Sequence, residues 1–448
     1  MNEKIEYRDL GKHPLFKDFV DSGAFYMLKE TIETFFHCKV VFFPRPSSQI
    51  KDHFDVDIFE NPKRGFYPLD QDNIVLIGRI LYQRQLISAI GFHLSGVRIS
   101  ENVKLLNKFE GALTGTFTQE FANRFQLGTF AFGDELILHT ITNYISVGYY
   151  DFRDVRHLIQ YFFKLRTTSF EGNFFSTGAI LTKAVHDFVD AESSQRNGQT
   201  FELSTWMRLK NSNVINKRLW YLADGKKSFF LVTRNIDFTH LFVLDASYSS
   251  TNYLDSHFLG LSIKGGDALF KIENEKLFSI NTSDGFEFLF FENQWKFRNY
   301  DFLKKLISEN ITTDEQLTES IIFYLLSCSK KQISSILWFP TDIDKIDDLI
   351  QVNTKNTFLK APINLVNKNF INHIFRCLSS DGATIIDREG NIRYIGVIID
   401  LSKISVTGLK GTGESAASAL TTNGVSIKIS QDGNIKIFTP GSKEAFIF

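Results

Sequence analysis

Two short stretches near the C-terminal end combine residue types suited to an anionic ligand. GLKGTGESAASAL (Gly408–Leu420) is a glycine-rich loop running into an alanine-rich helix start. Gly411-Thr412-Gly413 at such a start presents backbone N–H groups and the positive end of a helix dipole to an anion. Glu414 complicates this, because its charge stabilises the helix yet repels a bare phosphate. The second stretch, SSDGATIID (Ser379–Asp387), holds Asp381-Gly382-Ala383. With a bound Mg²⁺, Asp381 and Glu414 become candidate oxygen ligands. Each residue also reads as plain structure. Asp381 can cap a turn with Gly382 present for its φ, Gly411–Gly413 can be an ordinary loop, and Glu414 can be a helix N-terminal charge. Asp387 and Glu389 read as turn residues.

Elsewhere the chemistry is sparse. The ten histidines show no H-x-x-x-H or H-E-x-x-H spacing, so a metal hydrolase has no support. His93, His157 and His373 read as core or surface residues. Arg166 and Glu171 in LRTTSFEGN form a polar cluster that suits either a ligand pocket or a solvated loop. Cys38, Cys328 and Cys377 lie far apart without C-x-x-C spacing, which argues against a disulfide framework or zinc site. Lys226-Lys227, Lys304-Lys305 and Lys330-Lys331 read as solvated faces.

These residues need elements to place them. Asp314 is a plausible N-cap for a helix over Leu317–Cys328. Ser335–Phe339 reads as a buried strand stopped by Pro340, and Phe370–Leu378 as a second helix. Strands flank the turn Glu389-Gly390-Asn391, and a closing hairpin turns at Asp432-Gly433 between Val425–Ile429 and Ile435–Phe438. Upstream, Leu15–Phe36 and Val155–Leu165 have helical spacing and Val40–Phe43 reads as a strand. Ser47–Asp70 reads as a loop, Ile74–Ile99 as two or three strands, and Asp190–Thr200 as a surface loop. Gly115–Tyr150 mixes both periods and is left unassigned. From Arg218 to Phe291 the pattern is β-rich. Asp224-Gly225 between two aromatic runs predicts a hairpin, and Ser283-Asp284-Gly285 predicts another turn. Tyr300–Glu309 reads as helix.

The chain has 448 residues, enough for two to four domains at roughly 100–200 each. With 50 Lys+Arg against 51 Asp+Glu, the net charge of -1 supplies no global field for nucleic acid or an anionic membrane. Hydrophobic residues at 43% and charged residues at 23% suit a globular protein with a real core. The 46 phenylalanines read first as AT-rich coding and only second as packing chemistry. No apolar run approaches the roughly 20 residues of a membrane helix. The best candidate, Asn73–Leu94, is broken by Arg79, Arg84 and Gln85. The N-terminal MNEKIEYRDLGKHP has no signal-peptide core. A soluble, cytoplasmic protein is therefore expected.

Taken in order, the last third resembles the diadenylate cyclase (DAC) domain family. The sequence is helix, apolar strand, helix, D-G-A, strand pair, G-T at a helix start, and a final Ser-containing strand turn. Asp381-Gly382-Ala383 matches the family's D-G-A. Gly411-Thr412 and Ala416-Ala417 match the two ends of its G-T-R-H-R-A-A. The resemblance implies that Asp381 sits beside a ribose 3′-oxygen as base or metal contact. It also implies that Gly382, Ala383, Gly411, Thr412, Gly413 and Ser415 contact a nucleotide, and that two nucleotides meet in a homo-oligomer. Mg²⁺ or Mn²⁺, on Asp381 and Glu414, is implied for an active enzyme. The departure is at Gly413-Glu414-Ser415, which replaces the family's Arg-His-Arg, and Ala416–Gln431 lacks the carboxylate the family usually carries there. Loss of one electrostatic donor commonly costs about 10²–10³ in rate.

The expected architecture is α/β (mixed α+β). A mixed N-terminal sensor or regulatory region spans 1–312, with a subdomain break near 190–200. A DAC-like domain with a mixed sheet flanked by helices spans 313–448. The expected function is binding of ATP or a cyclic dinucleotide in sensing or signalling. The alternative is an active cyclase making a cyclic dinucleotide from two ATP, and a third reading is a scaffold kept for oligomerisation.

Overall fold

The computed structural model describes residues 24–43, 74–82, 85–94, 101, 102, 104–109, 111, 112, 132–146, 148–170, 172–174, 176–189, 198–209, 217–244, 265–356, 360–403, 411–442 and 445–448. The expected loop over Ser47–Asp70, the N-terminal part of the helix over Leu15–Phe36, and Glu171 lie outside them. Contacts divide the chain into two units, Met1–Arg298 and Asn299–Phe448. Each carries a mixed sheet with helices packed on it.

In the first unit β1 (Lys39–Phe43), β2 (Ile74–Tyr82) and β3 (Gln85–Leu94) form an antiparallel sheet in the order β1-β3-β2. The run weighed as a membrane segment is thus a hairpin, paired from Ile74↔Leu94 to Tyr82↔Gln85. No helix among the described residues is long and apolar enough to cross a membrane. After the short ribbon β4 (Ser169–Phe170) and β5 (Asn173–Phe174) come β6 (Thr177–Leu181), β7 (Gly198–Arg208), β8 (Ser228–Val232), β9 (Asp237–Leu244), β10 (Ala268–Asn274), β11 (Leu277–Thr282), β12 (Phe286–Phe291) and β13 (Gln294–Asn299). These eight form one sheet in the order β13-β12-β11-β10-β6-β8-β9-β7. Because β6 pairs with both β8 and β10, strands on either side of 190–200 share this sheet.

Helices α1 (Ala24–Phe36), α2 (Phe132–Ser146) and α3 (Phe152–Arg166) contribute to one core with this sheet. The unassigned stretch 115–150 therefore contains a helix. Asp151 caps α3, accepting from the backbone N of Arg153, and apolar residues at helical spacing bury Val155, Leu158, Ile159, Phe162 and Leu165. The phenylalanines earn a packing role here. Phe162 stacks on Phe278 at 5.8 Å, and Phe35 meets Phe36 edge-on at 4.9 Å. Such pairs add about 0.5–1.5 kcal/mol beyond the area they bury.

The hairpin expected at Asp224-Gly225 is not there. Its first aromatic run opens with a helical turn, Lys217–Trp220, and fully buried Trp220 packs against Tyr161, Phe162, Phe230 and Phe238. Asp224 instead caps the approach to β8, accepting from the backbone N of Lys226, Lys227 and Ser228. A short aromatic run fits a buried helical turn as well as a strand. The turn at Ser283-Asp284-Gly285 is present between β11 and β12, with Gly285 at φ +78°. The Asp284 carboxylate accepts from Lys104, from the Tyr144 hydroxyl at 2.7 Å and from the Thr282 hydroxyl at 2.8 Å.

The second unit opens with α4 (Tyr300–Asn310) and α5 (Glu315–Lys330). Asp314 caps α5 as its sequence suggests, accepting from Leu317 N at 2.8 Å. Lys304 bridges α4 to α5 through Glu319 at 2.6 Å and Glu315 at 3.2 Å, so this lysine is a tie rather than a bare solvated charge. Strands β14 (Ser335–Pro340), β15 (Ile363–Asn364), β16 (Ala383–Ile386), β17 (Asn391–Val397), β18 (Gly424–Ile429), β19 (Ile435–Phe438) and β20 (Phe446–Ile447) follow, with α6 (Ile371–Leu378) and α7 (Thr412–Ala419) between them. The sheet order is β15-β17-β16-β14-β18-β19-β20, with β14 and β16 parallel and the other neighbours antiparallel.

Alternation on β14 sends Ile336 and Trp338 to one face. There they pack with Ala383, Ile385, Val397, Phe438 and the α7 residues Ala416 and Ala417. The Trp338 indole N–H donates to the carbonyl of Asn423 at 3.1 Å, just beyond α7. Buried Asp387 accepts from Asn391 N at 2.8 Å and Arg393 Nε at 2.6 Å, fixing the β16–β17 turn expected at Glu389–Asn391.

Candidate functional site

Register brings the two glycine-bearing stretches to one end of the second unit's sheet. Ala383 pairs with Val397 on one side and Ile336 on the other. Ile336 pairs with Lys428, and Lys428 with Lys436. One row therefore crosses five strands, Val397–Ala383–Ile336–Lys428–Lys436, spanning roughly 19 Å at about 4.8 Å per strand. Asp381 and Gly382 enter at this row ahead of β16, and the first turn of α7 lies against its lysines.

The Asp381 turn is shaped by two glycines. Gly382 at φ +94° and Gly396 at φ +66° face each other across β16 and β17. A Cβ on Gly382 would lie 2.7 Å from the Val397 carbonyl oxygen, and one on Gly396 would lie 2.9 Å from that of Asp381. Neither position accepts a side chain, and the close approach leaves the turn at the solvent edge. Asp381 is exposed, and its carboxylate meets no hydrogen-bond or ionic partner among the described residues. Next to it, exposed Ile398 follows β17, and its N–H and carbonyl bond to Thr354 and Gln351 on either side of exposed Val352.

At the other stretch Gly411 is the N-cap of α7, at φ -60° and without a side-chain cap. The backbone N of Glu414 and of Ser415 both donate to the Gly411 carbonyl. The N–H groups of Thr412 and Gly413 belong to the first turn, which has no intrahelical acceptor. Gly411 and Thr412 are exposed, Gly413 and Glu414 half-buried, and Ser415 buried. Glu414 is engaged: its carboxylate accepts from Lys436 Nζ at 2.7 Å. Ala383 is buried in the apolar cluster, so what it offers outward is backbone.

Lys428 was not among the residues singled out in the sequence. Its Nζ donates to the Ser334 hydroxyl at 2.7 Å, and its stem packs on Gly413, where a Cβ would lie 3.2 Å from Cε. Desolvation pushes its pKa down, and no carboxylate pairs with it among the described residues. A signal did exist. A hairpin whose first strand ends at Ile429 and whose second begins at Ile435 pairs positions whose numbers sum to 864, which sets Lys428 opposite Lys436, and period-2 alternation puts Ser426 on their face. The Ser426 hydroxyl indeed donates to the carbonyl of Ala417 in α7.

No protein-family model and no curated protein matches the chain. Solved structures do. One is a hypothetical membrane-spanning protein from Bacillus cereus, 15% identical, with 32% of this chain and 70% of that chain covered at a TM-score of 0.26. Another is DacA from Staphylococcus aureus, a double cysteine mutant, 15% identical, with 30% of this chain and 88% of that chain covered at a TM-score of 0.22. DacA is thus a structural neighbour of part of the chain; likeness at this level carries no argument about its chemistry.

The described residues do not make up a cation site. Hard divalent cations take six or more oxygen ligands. Among the described residues no group of three or more His, Cys, Asp or Glu is placed to hold a metal ion. Glu414 is committed to Lys436, which leaves Asp381 as the uncommitted carboxylate of the two. In the first unit, Arg166 lies over the rings of Phe290 at 4.8 Å and Phe163 at 5.7 Å, and desolvation lowers its pKa. It is an aromatic-packed guanidinium there.

Proposed function

We propose that residues 299–448 bind a purine nucleotide at the end of the sheet where Asp381-Gly382 and Gly411–Glu414 converge. The observation that carries this reading is the register row that aligns the Asp381 turn with Lys428 and the start of α7. Asp381 is an acceptor for a sugar hydroxyl or base amine. The free first-turn N–H groups and Lys428 are donors for phosphate oxygens. Exposed Ile398 and Val352 offer an apolar surface on the Asp381 side. The resemblance to diadenylate cyclases points to ATP or a cyclic dinucleotide as the ligand, to a homo-oligomer, and to a role in sensing or signalling.

Binding comes ahead of synthesis in this reading. Phosphoryl and nucleotidyl transfer depend on positive groups around the moving phosphates. Here Lys436 is neutralised by Glu414, which leaves Lys428 as the uncompensated cation of the row. Calorimetric titration with ATP, ADP and cyclic di-AMP tests the reading. Saturable binding that Asp381→Ala weakens is expected, and absence of heat with all three at millimolar concentration removes it. Incubation with ATP and Mg²⁺ or Mn²⁺, followed by chromatography, is expected to show little or no cyclic dinucleotide.

A further inference from the structure

Resting on that reading, we infer that Lys428 and Ser334 form the phosphoryl-binding subsite, and that Glu414 acts as its built-in competitor. Among the described residues, Lys436 of the Lys428–Lys436 pair has a carboxylate partner and Lys428 has none. Its Nζ is already oriented by the Ser334 hydroxyl at 2.7 Å and lies beside Gly413, where a Cβ would come within 3.4 Å of it. The absence of a side chain at Gly413 thus keeps open the space next to the ammonium. A half-buried ammonium without a counter-charge carries a desolvation cost that an arriving oxyanion relieves. The lowered pKa of Lys428 is the trace of that cost.

Glu414 sits on the neighbouring side of the same pair. Its carboxylate takes the Lys436 ammonium at 2.7 Å, with both side chains about a quarter exposed (25% and 28%). A phosphoryl oxygen that approaches Lys428 meets Lys436 one strand away already claimed by a carboxylate. Glu414 therefore lowers affinity in two ways, by withholding a second cation and by placing a like charge beside the ligand. The ligand group this subsite takes is one phosphoryl oxyanion, held by Lys428 with the Ser334 hydroxyl as its support.

The test is calorimetry on the full chain in EDTA, with ATP and with adenosine as probes. Lys428→Met is expected to weaken ATP by at least about tenfold, the scale of one charge-assisted hydrogen bond. It should leave adenosine within about twofold, since the apolar stem against Gly413 is retained. Lys428→Arg should keep ATP binding within a few-fold, roughly the cost of changing donor geometry at a fixed charge. Glu414→Gln should tighten ATP by about threefold, as expected for releasing a partly exposed ion pair, again without effect on adenosine. Tryptophan fluorescence and urea unfolding check that each variant is folded. If adenosine binds and Lys428→Met leaves ATP affinity unchanged, the subsite is overturned while the nucleotide site stands. If neither probe binds the unmutated chain, both readings fall together.

Discussion

The triplet Ser-Asp-Gly occurs in both units, at Ser283-Asp284-Gly285 and at Ser380-Asp381-Gly382, and the two copies are used in opposite ways. Each glycine has positive φ, +78° at Gly285 and +94° at Gly382. There the likeness ends. Asp284 has both oxygens engaged by Lys104, Tyr144 and Thr282, so its charge closes a turn onto a helix. Asp381 leaves its carboxylate in solvent, and its turn is held instead by backbone, through Gly382 against Gly396. A turn whose geometry is secured by the main chain has its side chain to spare. The same three letters are structural where partners surround the carboxylate and available for binding where they do not.

The sharpest way to break this contrast is to remove each carboxylate. Asp284→Ala should cost about 2–4 kcal/mol, since two charge-assisted or neutral hydrogen bonds and an ion pair go with it. Asp381→Ala should change stability by less than about 0.5 kcal/mol, as an exposed side chain without partners does, while weakening nucleotide binding. Urea unfolding followed for both variants measures the difference. Equal losses would make Asp381 a structural residue too.

Next in size is the glycine pair. Gly382→Ala should lose about 1–3 kcal/mol from a non-glycine residue held at positive φ, with more from the contact with Val397. Gly411→Ala, at φ -60° with nothing within 4 Å of an added Cβ, should stay within about 0.5 kcal/mol by the same assay. A tolerant Gly382 would remove the close backbone approach as the reason for the turn's shape.

A smaller effect is the pH dependence that Asp284 gives to stability. Burial pushes the Asp284 pKa up, but hydrogen bonds from Lys104, Tyr144 and Thr282 outweigh it and hold it below the ordinary value of 3.8. Its stabilisation is then fully present above 3.8 and is lost as pH falls through the lower folded-state value. Asp284→Asn should flatten the acid limb of the stability curve in that window, read as the urea midpoint against pH. The smallest effect belongs to Lys428, whose folded-state pKa is depressed by desolvation below 10.5. The unfolded chain binds its proton more tightly, so stability rises with pH through the window below 10.5. Lys428→Met should therefore match or slightly exceed the parent's unfolding midpoint at pH 7, with the difference shrinking toward pH 10.

The second unit was largely legible from its letters because local rules agreed there. The cap at Asp314, the turn glycines at 390 and 433, and period-2 alternation in β14 and β18 all act over a few residues. The first unit was less so. The run from Arg218 reads as strand because Trp220 is chosen for Phe162, Phe230 and Phe238, partners distant in sequence or on another element. At the candidate site, Asp381 and Gly411–Glu414 were visible as residue types. That Glu414 would be claimed by Lys436 was not, because that pairing depends on hairpin register and on where α7 settles over β18 and β19.

Four tryptophans are present, and Trp338 is the one that follows residue 298. It is fully buried, with its indole N–H held by Asn423 just past α7. The second unit therefore carries a single tryptophan, in an apolar setting. With Trp206, Trp220 and Trp295 replaced by phenylalanine, the chain's emission would come from that position alone. A red shift would then time the opening of the helix–sheet packing behind the candidate site, and a nucleotide that fastens α7 to its strands would delay it.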